Sequence, residues 1–234
     1  MPKTKTLSVI IPVYNEKPTI TQTIKKVRSA KASGLKKQII IVDDGSSDGT
    51  REILKKMKTQ NKSLKIILKD KNGGKGSAVR EGFKHASGDF TIIQDADLEY
   101  DPKDYTIMLK PAVEGHADVV YGSRFLGPHR SFLFWNYVAN KFLTLLTNIL
   151  YNTILTDMET CYKLFKTDIV KNMKLRSNSF NIEPEITAKV LKKKYKIYEV
   201  PINFYGRDYR EGKKISAWDG VVAFFALFYY RFFD

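Results

Sequence analysis

Five short runs rich in valine and isoleucine punctuate the first half of the sequence: Leu7–Val13, Gln38–Val42, Leu64–Leu68, Phe90–Gln94 and Asp118–Tyr121. They are too continuously apolar for strands with one wet face. The segments between them, Thr19–Ala32, Asp48–Lys58, Ser77–His85 and Pro102–Glu114, carry polar residues at helical intervals. Buried strands alternating with helices predict an α/β fold with a mostly parallel sheet covered on both faces. In such a sheet the ligand lies beyond the carboxyl ends of the strands. The unusual polar residues of this sequence follow those ends.

A chain of 234 residues suits one large domain, or a compact domain with an appended lobe. With 43% hydrophobic and 28% charged residues it can fill a sizeable core, which excludes general disorder. A formal charge of +15 calls for an anionic partner: nucleic acid, a nucleotide or lipid phosphate, or an acidic membrane surface. Simple solubility is the bland alternative. The single cysteine, Cys161, cannot form an intrachain disulfide, so a reducing compartment is expected. Leu7–Val13 is short, contains Pro12 and precedes no small-residue cleavage site, so no signal peptide is expected. No stretch reaches the roughly 20 apolar residues that span a bilayer. The expectation is a cytoplasmic chain that touches a membrane.

The second half has another texture. Phe132–Leu155 is strongly apolar and aromatic, interrupted by Asn136, Asn140, Thr144, Asn148 and Asn152, whose four-residue spacing draws a polar stripe along one helix. A buried packing helix and a helix lying in a membrane interface both fit this pattern. Glu183–Lys194 reads as another helix and Lys196–Phe204 as a strand. The tail Val221–Phe233 is nearly all apolar, with Arg231 inside it.

The first strand ends in Pro12-Val13-Tyr14-Asn15-Glu16, and the second in Asp43-Asp44-Gly45-Ser46. Turn and capping chemistry explains the serines, but adjacent acids at a buried strand edge repel unless a cation or hydrogen-bond donors meet them. A base amide and ribose hydroxyls would do so. Asn72-Gly73-Gly74-Lys75-Gly76-Ser77 fits neither the Walker pattern nor the dinucleotide fingerprint. A glycine-rich turn into a helix still offers N–H groups and Lys75 to an anion, and a plain turn remains the alternative. Asp95-Ala96-Asp97-Leu98-Glu99 follows the fourth run, and alternate acids there would be costly without a bound cation. Their oxygens suit Mg2+ or Mn2+. His85, His116 and His129 lack metal-ligand spacing. Downstream lie Arg124, Arg130, Arg207, Arg210, Lys213 and Lys214, for which solvation is the ordinary reading and phosphate gripping the functional one.

Pro12–Glu16, Asp43–Ser46, Asp95–Asp97 and Gly122–Arg124, in that order, resemble the family 2 glycosyltransferases of the GT-A fold. Asp157-Met158-Glu159-Thr160-Cys161-Tyr162-Lys163, the run Phe180–Glu185 and Tyr205–Ile215 resemble the dolichyl-phosphate mannose synthase branch. The resemblance implies a single GT-A domain: a Rossmann-like, mostly parallel sheet flanked by helices, with a C-terminal amphipathic and aromatic helical part. Residues 1–123 would form a nucleotide-sugar half, 124–214 an acceptor half and 215–234 an apolar helix. By position, Pro12, Tyr14, Asn15, Glu16, Asp43, Asp44, Lys75, Asp95, Ala96 and Asp97 would bind the donor, with Lys213 and Arg207 reaching over it. Asp95 and Asp97 would bind Mg2+ or Mn2+, joined by Glu99, which stands where relatives often have Gln. Arg124 and Arg130 would receive the acceptor phosphate, and Asp97, Arg124 and Arg207 would carry catalysis.

The implied reaction is inverting transfer of mannose or glucose from GDP-mannose or UDP-glucose to a polyprenyl or dolichyl phosphate at the cytoplasmic face of a membrane, and the resemblance leaves room for a membrane-embedded partner. A phosphate monoester, with a second pKa near ~6, needs no dedicated base. The alternative is transfer to a sugar or other soluble acceptor, which deprotonates a hydroxyl and would draw on Glu183 or Glu185. Two non-enzymatic readings fare worse. A nucleic-acid-binding module leaves the acidic edge unexplained, and a catalytically silent scaffold leaves the intact Asp-x-Asp unexplained.

Overall fold

A computed structural model describes residues 4–61, 63–131, 133–207 and 217–234. The chain runs through β1 (Thr6–Val13), α1 (Ile20–Ser29), β2 (Lys36–Asp43), α2 (Thr50–Gln60), β3 (Leu64–Leu68), α3 (Lys75–His85) and β4 (Phe90–Ile93). A 3-10 turn (Pro102–Asp104) then leads into α4 (Tyr105–Val113), β5 (Val119–Ser123), α5 (Phe134–Tyr151), β6 (Lys163–Lys166), α6 (Thr167–Lys171), α7 (Ile182–Lys192), β7 (Ile197–Pro201) and α8 (Ala217–Phe232). The strands form one seven-stranded sheet in the order β3-β2-β1-β4-β6-β5-β7.

β1 pairs in parallel with β2 on one side and β4 on the other. Chain order therefore reverses beside β1, which opens a crevice at its carboxyl end. Alternate residues of β1 enter opposite layers. Leu7, Val9 and Ile11 pack with Ile20, Ile24 and Val27 of α1 and with Leu54 of α2. Ile10 packs with Val79 and Phe83 of α3 and with Ile182 and Ile186 of α7. Both faces are dry, which is why the strand reads as an unbroken apolar run.

The expected strands appear, with one addition. β6 lies antiparallel between β4 and β5, in a stretch the apolar pattern does not mark as a strand. It opens with Lys163, which is fully buried and whose Nζ bonds Glu183 Oε2 at 2.7 Å and the carbonyl of Met158 at 2.9 Å. A charged residue at a core position hid the strand from hydropathy.

The polar stripe of α5 faces inward. Thr144 and Thr147 are buried, and Thr144 Oγ1 accepts from the N–H of Met158 at 3.1 Å. Asn148 exchanges bonds of 2.8 and 2.9 Å with the backbone of Leu155. The large apolar residues face out, with Trp135 at 77% and Ile149 at 70% of full exposure. α8 packs on α5 through Leu143, Met158, Ala223 and Leu227, and it too leaves Trp218, Phe225 and Phe232 exposed. Among the described residues no helix is long and apolar enough to cross a membrane.

Candidate active site

The carboxyl ends of β1, β2 and β4 open into a cavity of about 420 Å3. Its floor is the turn after β4. Gln94 is held by the hydroxyls of Tyr105 and Tyr162, each 2.8 Å from its Oε1, and its amide bonds the carbonyl of Asp95 at 3.1 Å. Thr23 Oγ1 of α1 donates to the carbonyl of Ala96 at 2.8 Å. Leu98 sits at φ 67, a left-handed conformation rare for a branched residue, and the N–H of Glu99 turns back to Asp97 Oδ1 at 3.1 Å. These bonds bring Asp95, Asp97 and Glu99 to one mouth, where all three line the cavity.

Protein cations already meet this acidic cluster. Lys75 Nζ lies 2.9 Å from Asp95 Oδ1, 2.7 Å from Cys161 Sγ and 3.8 Å from Glu183 Oε1. The guanidinium of Arg207 reaches Asp97 Oδ2 at 3.0 Å, Glu16 Oε1 at 3.4 Å and Glu99 Oε1 at 3.8 Å, and its backbone N–H bonds Glu99 Oε1 at 2.7 Å. Burial alone would raise the Asp95 carboxyl, but Lys75 beside it holds it below the usual carboxylate range. Asp97 goes the other way: burial, then the charges of Asp95 and Glu99, push it up to about 7 despite Arg207.

Asp43 and Asp44 are relieved from within the protein. Asp43 pairs with Arg51 at 3.1 Å, and Asp44 pairs with Lys69. The N–H groups of Gly73 and Gly74 donate to Asp44 Oδ2 at 3.0 and 2.7 Å. The glycine-rich turn thus does bind an anion, and the anion is the Asp44 side chain. Gly74 has φ 88, and a Cβ there would lie 2.3 Å from the carbonyl of Asn178, so only glycine lets the two loops touch. Asp44 lines the cavity; Asp43, fully buried, lies behind it. Asn15, at φ 52, ties the ends of β1 and β2: its N–H meets Ser46 Oγ and its Oδ1 accepts from the N–H of Ser47, both at 2.9 Å. Pro12, Tyr14 and Glu16 line the wall beside it.

On the other wall Arg124 forks onto Asp157, with Nε at 2.8 Å and the terminal nitrogen at 2.7 Å, and reaches Asn140 Oδ1 of α5 at 3.0 Å. Arg130 is exposed on a loop outside the cavity lining, its guanidinium 3.3 Å from the carbonyl of Gly206. Glu185 is buried and accepts from the N–H groups of Arg176 and Ser177 at 2.8 and 2.7 Å, while Glu183 is tied to buried Lys163. Both carboxylates thus hold the fold together, although Oε1 of Glu183 has no hydrogen-bond partner among the described residues. Arg210, Lys213 and Lys214 lie outside the described residues.

The cavity also contains side chains whose roles the motifs did not assign. Tyr100 packs obliquely on Tyr162 and edge-on against Phe204, and its hydroxyl accepts from the N–H of Cys161 at 3.1 Å. Glu159 lines the wall near Arg124, and Phe180 closes the side formed by the loop before α7. The available signal was their place in Asp157–Lys163 and Phe180–Glu185, segments singled out only for resemblance.

The donor set fits a hard divalent cation. Asp95 and Asp97 offer carboxylate oxygens at one mouth, where both line the cavity. Among the described residues no three His, Cys, Asp or Glu side chains enclose a metal position by themselves. Two carboxylates suit Mg2+ or Mn2+, which keep waters and share substrate phosphate oxygens.

The same architecture occurs in glucosyl-3-phosphoglycerate synthase from Mycobacterium tuberculosis, solved in complex with Mn2+, uridine diphosphate and phosphoglyceric acid. That likeness has a TM-score of 0.75 at 16% identity, over 98% of this chain and 80% of that one. In sequence the chain is similar to the dolichol-phosphate mannosyltransferase of Pyrococcus furiosus, 31% identical over 212 residues, covering 88% of this chain and 58% of that protein. It is also similar to glycosyltransferase AglJ of Haloferax volcanii, 29% identical over 209 residues, covering 88% of this chain and 65% of that protein. The chain thus spans less than two thirds of the length of these two relatives. The family model for glycosyl transferase family 2 matches residues 8–173, most of the chain and all three strand ends that build the acidic mouth, and the chain belongs to that family.

Proposed function

We propose that this family 2 glycosyltransferase moves a hexose, mannose or glucose, from a nucleotide-diphosphate sugar to a polyprenyl or dolichyl phosphate, with inversion, while lying on a membrane surface. One observation carries the reading. Arg124, on the wall facing the acidic mouth, is bonded at 3.0 Å to Asn140 of α5, the helix whose opposite face is apolar and exposed. That helix links the centre where a phosphate would react to a surface where a lipid chain would lie. The dolichol-phosphate mannosyltransferase among its relatives supports the same acceptor class.

In this reading Pro12, Tyr14, Asn15, Glu16, Asp43 and Asp44 shape the nucleotide wall, Asp44 by fixing the glycine-rich loop. Lys75 and Arg207 are fixed positive charges close to the incoming diphosphate, and Arg207 exchanges its hold on Asp97 for the donor. Asp95 and Asp97, with Glu99 beside them, would hold Mg2+ or Mn2+, which when bound neutralises and orients the leaving diphosphate. Arg124 orients the acceptor phosphate and offsets repulsion between two phosphorylated substrates, with Arg130 at the entrance. The acceptor oxygen arrives ionised, so no side chain needs to remove a proton.

The test is transfer of radiolabelled sugar from GDP-mannose and from UDP-glucose to a polyprenyl phosphate, with Mg2+ or Mn2+ and with EDTA. Label should enter the organic phase only with metal, and Asp97→Ala should lower turnover by about 10^3-fold or more while the circular dichroism spectrum is retained. Undiminished turnover in that variant would remove Asp97 from the reaction. Transfer to a sugar hydroxyl is the second reading, favoured by one observation: the cavity holds a carboxyl, Glu159, whose Oε1 is buried and bonds none of the described residues. Label found only in water-soluble product would select it.

A further inference from the structure

The proposed chemistry leaves Glu159 unused. It lies in the connection from α5 to β6 and lines the cavity together with Arg124 and Cys161. Its Oε1 is buried and has no hydrogen-bond partner among the described residues. Four charged groups face it: Lys163 of β6, Glu183 of α7, Arg124 after β5 and Asp157 of its own segment. Both cations are committed elsewhere. Lys163 Nζ bonds Glu183 at 2.7 Å and the carbonyls of Met158 and Thr160, and Arg124 forks onto Asp157 at 2.8 and 2.7 Å. Among the described residues an ionised Glu159 in this place therefore gains no direct ion pair and has two carboxylates for neighbours. Burial lifts its carboxyl to about 7 against the pull of Lys163 and Arg124, with Glu183 and Asp157 pushing the same way as burial.

A phosphate monoester brought to Arg124 meets a cation whose charge Asp157 already balances. A second negative charge from Glu159 would repel it, whereas a carboxylic acid would offer an O–H. We propose that Glu159 works as a neutral carboxylic acid that donates a hydrogen bond to the acceptor phosphate and thereby selects phosphate over hydroxyl acceptors. The inference rests on the phosphate-acceptor reading above. It also defines a working window. The acceptor becomes a dianion above its second pKa of ~6, and Glu159, pushed up to about 7, is still mostly protonated just above that point. Between the two, acceptor charge and donor proton are present together.

The experiment measures kcat and acceptor KM from pH 5.5 to 8.5 for the full chain, Glu159→Ala and Glu159→Gln. In the unaltered protein KM should rise about tenfold per pH unit above 7, as one ionisation removes the donor. Glu159→Ala should raise KM about tenfold at pH 6.5, and the amide of Glu159→Gln should restore most of that loss and flatten the alkaline rise. A purely structural role would not tie the slope to the amide. An alkaline rise that persists in Glu159→Gln overturns the proposal. So does a rate that climbs through pH 7 and vanishes in Glu159→Gln, which would make Glu159 a base. Calorimetric binding of a soluble phosphate monoester gives a readout independent of turnover. Its affinity should fall above pH 7 in the unaltered protein and not in Glu159→Gln; no binding, or the same pH dependence in both, overturns the assignment. Failure of the acceptor reading looks different: phosphate binds with the expected pH dependence, but sugar passes only to hydroxyls.

Discussion

The helices that cover the sheet and the pair formed by α5 and α8 use the same kind of two-sided pattern in opposite senses. In α1 the apolar side points in, with Ile20, Ile24 and Val27 buried and Lys25 and Lys26 toward water. In α5 the small polar side points in, with Thr144 and Thr147 buried, while Phe134, Trp135, Phe142, Leu145 and Ile149 point out. The inward polar groups of α5 are not stranded, because Asn140 meets Arg124, Thr144 meets Met158 and Asn148 meets Leu155. What fixes α5 is therefore a set of directional bonds plus a narrow apolar seam to α8. The wide apolar side stays exposed, and under the reading proposed above it is the face that meets a membrane.

Charge insertion should separate the two senses most strongly. Val27→Glu in α1 places an unpaired carboxylate at a site with no exposure, and a loss of about 3 kcal/mol or more is expected, seen as a collapsed thermal transition. Ile149→Glu in α5, a site 70% exposed, should move stability by about 0.5 kcal/mol or less. Equal losses in the two variants would mean that the α5 face is not free.

Membrane attachment sharpens the comparison next. Sedimentation with vesicles containing anionic lipid should capture the unaltered chain, and Trp135→Glu with Ile149→Glu should reduce the partition about tenfold or more. Partition unaffected by both changes would assign the face to a protein neighbour instead. The smallest effect tests the inward stripe. Asn148→Ala removes two bonds to Leu155 and should cost about 1–3 kcal/mol in chemical denaturation, whereas Asn152→Gly, exposed at the end of α5 with a φ of 50 that glycine adopts freely, should cost a few tenths.

Much of the catalytic half was legible because both of its physical signals are local. β1, β2 and β4 are dry on both faces, so their residues could be read without knowing their partners, and the acids at their ends stood out against that background. β6 was not legible, because a buried ion pair with Glu183, twenty residues away, is what makes Lys163 acceptable in a core. The partners of Asp43 and Asp44 were hidden for the same reason. Arg51 and Lys69 are ordinary surface-type residues until β2, α2 and the end of β3 are brought together. Glu185 read as a candidate base because its sequence context does not reveal that it accepts the N–H groups of Arg176 and Ser177.

Periodicity and strand-end chemistry, both properties of a few consecutive residues, determined from the sequence alone that the chain would build a buried parallel sheet with an acidic crevice at the carboxyl ends of its strands. They also determined that Phe132–Leu155 would carry a polar stripe. Only the tertiary structure decided which way that stripe would face, which acids would find protein cations, and that Glu159 would have a buried oxygen with no hydrogen-bond partner among the described residues. Those outcomes depend on what packs against a residue from distant parts of the chain, and the free energy of a charge or a hydrogen bond is set by that neighbour and by the water it excludes.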